Sequence, residues 1–299
     1  MASISTVIVA YNSGELLRRC LTAVGSSHGE IVVVDNGSPN GDATVARDEF
    51  PEVRLIAGTR NAGFGRAANT GVAYASGRWV LLLNPDAWPI EDGVERLLEF
   101  AESIPGLGAA GPLLFDSSGQ PQRSTIRPPL GAAPLALSTA FPGVVTWLYG
   151  AWRRVTSPLR RGKVRPTEFL QGSVLLVRRD AFEAVGGFDE SFFMYGEDAD
   201  LCARLRDAGW AVELCHGARF VHLGGGSSGT VSERLHLELL RSWLRLIAKD
   251  KGIAEAERAR RWTLRALRAR ELGSRTPRQR AVSTWLSCRH VSELLAPSE

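Results

Sequence analysis

Three groups of polar residues stand where the apolar patterning of the chain breaks off, and their types suit chemistry. Asn84 and Asp86 flank Pro85 directly after the apolar run 80–83. Proline cannot donate to a strand ladder and disfavours a helical residue before it, so the run ends there and both side chains project beyond it. An amide oxygen and a carboxylate in that position suit a hard divalent cation completed by water and phosphate. The plainer alternative is a turn, which all three residues favour. Glu197, Asp198 and Asp200 open a segment in which Leu201, Leu205 and Ala208 recur at helical spacing. The helix dipole stabilises acids at a helix start, which accounts for one or two of them. The aromatic run Phe192, Phe193 and Tyr195 just before them is a setting that excludes water and raises a carboxylate toward the pKa of a general base. His222 runs into the glycines 224–226, whose amides could approach a phosphate. Its imidazole reads either as a satisfied polar group or as a metal or phosphate contact.

These residues need a frame, and the patterning before them supplies one. Residues 4–10 predict a strand, Tyr11-Asn12-Ser13-Gly14 a loop and 15–24 a helix. The unit repeats as strand 30–34 ending at Asp35, loop 36–42 and helix 43–50. It repeats again as strand 53–56, the loop with Arg60 and Asn61, and helix 66–75, which leads to the strand at 80–83. Strands alternating with helices predict parallel βαβ units with right-handed crossovers. Ligands bind at the carboxyl ends of such strands, and Tyr11, Asn12, Asp35, Arg60, Asn61, Asn84 and Asp86 all fall there. Gly63 and Gly65 do not make a dinucleotide fingerprint, because the third glycine and the tight strand-to-helix turn are missing. Further on, the pattern predicts a helix at 91–103, a hairpin of 109–115 with 122–127, a strand at 174–177 and a helix at 179–185. Two closing strands follow at 210–214 and 218–221, then helices from 231 to about 270 and a linker at 273–280.

Composition leaves most functions open. The 299 residues, 44% hydrophobic and 23% charged, are those of an ordinary globular protein. The net charge is only +4, but arginines and one lysine cluster at Arg153, Arg154, Arg160, Arg161, Lys163 and Arg165 and again after residue 240. Such clusters suit phosphates or acidic lipid headgroups, while the absence of an interleaved aromatic platform disfavours nucleic acid. Four scattered cysteines without a Cys-x-x-Cys pair fit a reduced, cytoplasmic compartment. The N-terminus reads as a first strand rather than a signal peptide. The apolar stretch 130–147 is broken by Pro134, Pro142 and glycines, which argues against a span and leaves peripheral contact with the inner face of a membrane open.

Taken in order, Val7-Ile8-Val9-Ala10-Tyr11-Asn12, Val33-Val34-Asp35-Asn36-Gly37-Ser38, Asn61-Ala62-Gly63-Phe64-Gly65, Leu83-Asn84-Pro85-Asp86 and Gly186-Gly187-Phe188-Asp189 through Gly196-Glu197-Asp198 resemble glycosyltransferase family 2, most of all its bacterial rhamnosyltransferase-type members. The resemblance covers about residues 4–228. It implies an α/β, Rossmann-like nucleotide-diphospho-sugar transferase fold, the A type. The expected organisation is a catalytic domain at 1–228 with a variable insert near 128–165 and a C-terminal helical region at 229–299. By motif position Ala10, Tyr11 and Asp35 would hold the pyrimidine and ribose, with Asn12, Arg60 and Asn61 nearby. Asp86 would bind Mg²⁺ or Mn²⁺ bridging the donor's diphosphate, and His222 is similar to a histidine that completes that metal site in some members. Asp198 would be the base of an inverting transfer, with Glu197 beside it. Asn84 departs from the family's usual first metal-motif aspartate, although Asn-Pro-Asp resembles the rhamnosyltransferase-type variant.

The implied donor is a dTDP- or UDP-linked sugar such as dTDP-L-rhamnose, with galactofuranose or glucose from UDP as alternatives. The implied acceptor is a glycan, free or linked to a polyprenyl diphosphate. Two other classes compete. A sugar nucleotidyltransferase needs a glycine-rich loop with Arg and Lys after the first strand, which Tyr11-Asn12-Ser13-Gly14 is not. A non-catalytic sugar-nucleotide-binding protein needs no base, so Asp86, Glu197 and Asp198 together argue against it.

Overall fold

A computed structural model describes residues 4–25, 29–39, 41–140, 169–224, 233–269, 277–287 and 290–295. The described residues divide into two compact units, 4–127 with 169–193 and 197–224 in the first, and 128–140, 194–196 and 233–295 in the second. The basic cluster at 153–165 and most of the insert lie outside the described residues.

The first unit opens with the predicted alternation: β1 (Ile4–Ala10), α1 (Glu15–Val24), β2 (Glu30–Asp35), α2 (Asp42–Glu49), β3 (Arg54–Ala57), α3 (Phe64–Tyr74) and β4 (Trp79–Leu83). β1 pairs parallel with β2 and β4, and β2 with β3. Every residue of β1 and β4 is buried, as expected of strands covered on both faces. Beyond these lie β5 (Ala87–Pro89), α4 (Gly93–Ser103), β6 (Leu107–Phe115), β7 (Thr125–Ile126), β8 (Phe169–Leu170), β9 (Val174–Arg178), α6 (Arg179–Ala184), α7 (Glu197–Asp207) and β10 (Ala211–His222). The main sheet runs β3-β2-β1-β4-β9-β6-β10-β5, with β9 and β5 antiparallel to their neighbours. It is therefore parallel at one end and mixed at the other. Ile8, Val33, Leu81 and Leu83 of the sheet pack with Leu17 and Leu21 of α1 and Leu97 of α4 in one core.

Three local expectations change. The predicted hairpin is only begun: Gln122 N–H donates to the Leu114 carbonyl, but β7 then pairs with β8 in a separate two-stranded sheet. The two closing strands are one, β10, whose register against β6 shifts between Cys215 and Arg219. Gly217 falls inside that irregularity, where the alternation is interrupted and a sequence pattern breaks in two. The third change concerns Pro277–Arg280, predicted as linker, which form the first turn of a helix in the second unit.

That unit contains α5 (Ala132–Ala140), α8 (Glu233–Lys251), α9 (Ile253–Ala269), α10 (Pro277–Ser287) and α11 (Val291–Leu294). It has its own core, in which Leu135 and Ala140 of α5 meet Leu240, Leu244 and Ile247 of α8, Ala256 and Leu267 of α9, Leu286 of α10 and Leu294 of α11. Among the described residues no helix is long and apolar enough to cross a membrane.

Candidate active site

The carboxyl edge of the parallel strands gathers the predicted residues through backbone bonds. Asn36 N–H donates to the Ala10 carbonyl, and Gly58 N–H to that of Asp35. Asp35 is buried, and its carboxylate accepts from Ser38 N–H at 2.9 Å. Asn36, also buried, donates its side-chain amide to Asn61 Oδ1 and accepts from Ala62 N–H at 3.0 Å, shaping the loop that follows β3. Arg60 stands exposed beside it, and its backbone passes so close to Gly37 that a Cβ there would meet it at 2.5 Å. Tyr11 is 38% exposed, while Asn12 adopts φ 52 and donates its N–H to Ser38 Oγ.

Asp42 ties this half of the edge together and escapes sequence reading. It is fully buried, and its two carboxylate oxygens accept from Ser13 N–H and Gly14 N–H at 2.7 Å, with Ser38 Oγ at 3.0 Å. One carboxylate thus clamps the loop after β1 to the loop after β2. The available signal was an Asp at the last position of a turn-rich loop before a helix, which reads equally as an ordinary cap.

Asp86 sits just past β4, buried, where β5 lies antiparallel to the end of β10 and pairs Ala87 with His222. That register brings His222 Nε2 to 3.7 Å from Asp86 Oδ1. Burial pulls the imidazole below its ordinary pKa, opposed by the Asp86 charge, which favours the neutral ring that ligates metals. Its Nδ1 is buried without a hydrogen-bond partner among the described residues. Among the described residues no group of three His, Cys, Asp or Glu side chains could hold a metal. A carboxylate and a neutral imidazole with an unused nitrogen fit a hard cation whose remaining positions go to water and phosphate oxygens.

Glu197 and Asp198, both buried, open α7 after Tyr195 and Gly196, which turn with φ 68 and 85. Asp198 Oδ2 accepts from Gly172 N–H at 2.9 Å and Oδ1 from Ala199 N–H at 2.8 Å. Among the described residues Glu197 Oε2 has no hydrogen-bond partner. Burial and then the Asp198 charge push Glu197 up to about 8. Burial also raises Asp198, but its amide donors hold it back. Asp200 is separate: it pairs with Arg204 at 2.7 Å, the structural role expected of an acid in a first helical turn.

The two acidic positions, far apart in sequence, are linked by one dipeptide. Gly172 N–H holds Asp198, and the Ser173 carbonyl accepts Asn84 N–H at 2.9 Å. Ser173 Oγ is itself buried without a hydrogen-bond partner among the described residues. On the other side Phe64 N–H donates to the Phe193 carbonyl at 2.9 Å, and Asn69 bonds both the N–H and the carbonyl of Phe188. The segment leading to α7 is therefore fastened to the loop and helix after β3. Among the described residues, buried polar atoms on Asn12, Ser173, Glu197 and His222 lack a hydrogen-bond partner and lie in these loops or at the helix and strand ends beside them, as expected where a ligand completes the bonding.

Parallel strands presenting polar loops at one edge of a mixed sheet are the architecture of the A-type glycosyltransferase fold. The structure is similar to that of the mannosyltransferase PcManGT from Pyrobaculum calidifontis in complex with GDP-Man and Mn²⁺, with a TM-score of 0.56 over 98% of this chain and 86% of that one at 15% identity. The family model Glycosyl transferase family 2 matches residues 5–186, and Glycosyl transferase family group 2 matches 144–295. The chain is 32% identical to the N-acetylglucosaminyl-diphospho-decaprenol L-rhamnosyltransferase of Mycobacterium tuberculosis over 87% of its own length and 88% of that protein's. It is 27% identical to the rhamnosyltransferase WbbL of Escherichia coli K12 over 63% and 71% of the two chains. The chain belongs to glycosyl transferase family 2 and is a glycosyltransferase of glycan synthesis.

Proposed function

We propose that this protein transfers L-rhamnose, with inversion, from a pyrimidine nucleotide sugar such as dTDP-L-rhamnose to a glycan carried on a polyprenyl diphosphate. The observation that carries the reading is the Gly172–Ser173 dipeptide, which holds Asp198 through one amide and the Asn84–Asp86 turn through the next carbonyl. In this reading it sets the proton acceptor and the leaving-group site on one piece of backbone. The likeness to a decaprenol-diphosphate rhamnosyltransferase over most of both chains supports the sugar and the acceptor class.

In this reading the loops carrying Ala10, Tyr11, Asn12, Asp35, Arg60 and Asn61 take the base and ribose. Asp86 and His222 would hold a divalent cation, Mg²⁺ or Mn²⁺, which when bound would offset the charge of the departing diphosphate. The acceptor hydroxyl oxygen bonds to the anomeric carbon as the bond to the diphosphate oxygen breaks on the opposite face. Its proton passes to Asp198. The environments of the acidic pair differ: burial raises both, but the Gly172 and Ala199 amides hold Asp198 back, while burial and the Asp198 charge keep Glu197 protonated near neutral pH. A protonated Glu197 leaves one negative charge rather than two in the buried site.

The test is a donor screen by nucleotide release, with dTDP-L-rhamnose and UDP sugars, Mg²⁺ or Mn²⁺, and a polyprenyl-diphosphate-linked acceptor. Asp198→Asn is expected to lose about 10²–10⁴-fold in turnover while still binding donor. Full activity in that variant would sink the base assignment, and activity after exhaustive chelation would sink the metal at Asp86.

A further inference from the structure

We infer that the face formed by α5 and α9 in the second unit docks on a phospholipid bilayer bearing anionic headgroups. Two large apolar side chains stand in the open there, Leu137 on α5 at 53% exposure and Trp262 on α9 at 44%. They border a cavity of about 340 Å³ whose wall is completed by Ala133, Ala136, Ala266 and the stem of Arg265. Trp262 also borders a second cavity of about 570 Å³ that contains Lys251, Glu255 and Arg258. An apolar depression and a charged one therefore meet at a tryptophan.

The surrounding charge identifies the occupant. Arg258, Arg261, Arg265 and Arg268 of α9 are all exposed, and Arg258, Trp262 and Arg265 recur at helical spacing on one stripe. The two acids of the helix are outnumbered by its five arginines: buried Glu257 pairs with Arg260 and Arg261, and Glu255 pairs with Arg258 and accepts the Ala132 N–H. The face is thus apolar at its centre and cationic at its rim. Tryptophan favours the headgroup level of a bilayer, and arginine stems cover apolar surface while their heads reach phosphate. A second copy of this chain is a poorer fit, because a symmetric contact would set these arginines against one another. The docking extends the reading of a lipid-linked acceptor, but every residue that carries it lies in the helical unit.

The experiment is sedimentation of the full chain with vesicles of phosphatidylcholine alone and of phosphatidylcholine mixed with phosphatidylglycerol, at low and high salt, without donor or acceptor. The expected result is binding to the anionic vesicles only, weakened by salt. Binding should fall about tenfold or more in the double variant Arg258→Glu/Arg265→Glu and in Leu137→Ser/Trp262→Ser. Circular dichroism and thermal melting check that each variant is folded, and the milder Trp262→Leu should retain most of the binding. Folded variants that bind as the parent does would overturn the proposal. So would a shift from dimer to monomer in light scattering without loss of vesicle binding, which would assign the face to a second copy. Failure here leaves the transferase reading standing, and failure of the donor screen leaves the vesicle result standing.

Discussion

Glu197 makes the most specific claims at the scale of single residues. Its pKa of about 8 in the fold lies above the ordinary 4.5, so the native state holds a proton that the unfolded chain has lost between those values. Stability therefore falls as pH rises from about 4.5 to about 8 and is insensitive to this group outside that window. Glu197→Gln removes the fall. Denaturant midpoints should show the variant more stable at pH 8 by about 1–3 kcal/mol and little changed near pH 4. In the turnover–pH profile the inflection near 8 should vanish in that variant, while the acid limb set by Asp198 remains. Asp42→Asn leaves Ser13 N–H or Gly14 N–H without its acceptor. It should cost about 1–3 kcal/mol of stability and weaken donor binding more than turnover, measured by calorimetric titration. The placement of Asp86 and Asp198 was legible in the sequence because each motif pairs a residue type with an element boundary. Asp42 was not, because its partners, the amides of Ser13 and Gly14, are almost thirty positions away, and backbone amides carry no sequence signature.

The elements matter through where their ends meet. Gly63 has φ 90, and a Cβ there would lie 2.6 Å from the Phe193 carbonyl oxygen, which itself accepts the Phe64 N–H. Gly63→Ala therefore strains the backbone and forces apart the start of α3 and the segment before α7. It should destabilise by about 1–3 kcal/mol or more and lower turnover, read by thermal melting and nucleotide release. Gly172 is a gentler case, with a Cβ meeting Asp198 Cβ at 3.1 Å. The alternation of β1 to β4 with their helices could be read from apolar runs, since strands buried on both faces leave uninterrupted signals. The fate of the chain after Phe115 could not. β7 and β8 are two residues each, too short for any periodicity, and they pair across more than forty positions.

At the scale of the molecule, two cores imply two units of local stability. Leu244, fully buried, belongs to the helical core alone, and Leu244→Ala should cost about 2–5 kcal/mol there. Hydrogen exchange should show faster opening of α8 and α9 with protection in β1 and β4 nearly unchanged. Sequence periodicity announced helices after residue 231 but not that α5, from the middle of the chain, belongs with them. That membership rests on small residues such as Ala132 and Ala140 in the shared core, and alanines give no amphipathic signal. The Asp42 clamp has a consequence for engineering. Because it fastens the loop after β1 to the loop after β2, the proposed nucleotide site predicts that a change of nucleotide preference requires transplanting residues 11–14 and 36–42 together. The same graft attempted with either loop alone separates Asp42 from its partners. The pair is the unit of exchange, and a library that varies both loops around a fixed Asp42 explores donors without disturbing the transfer chemistry.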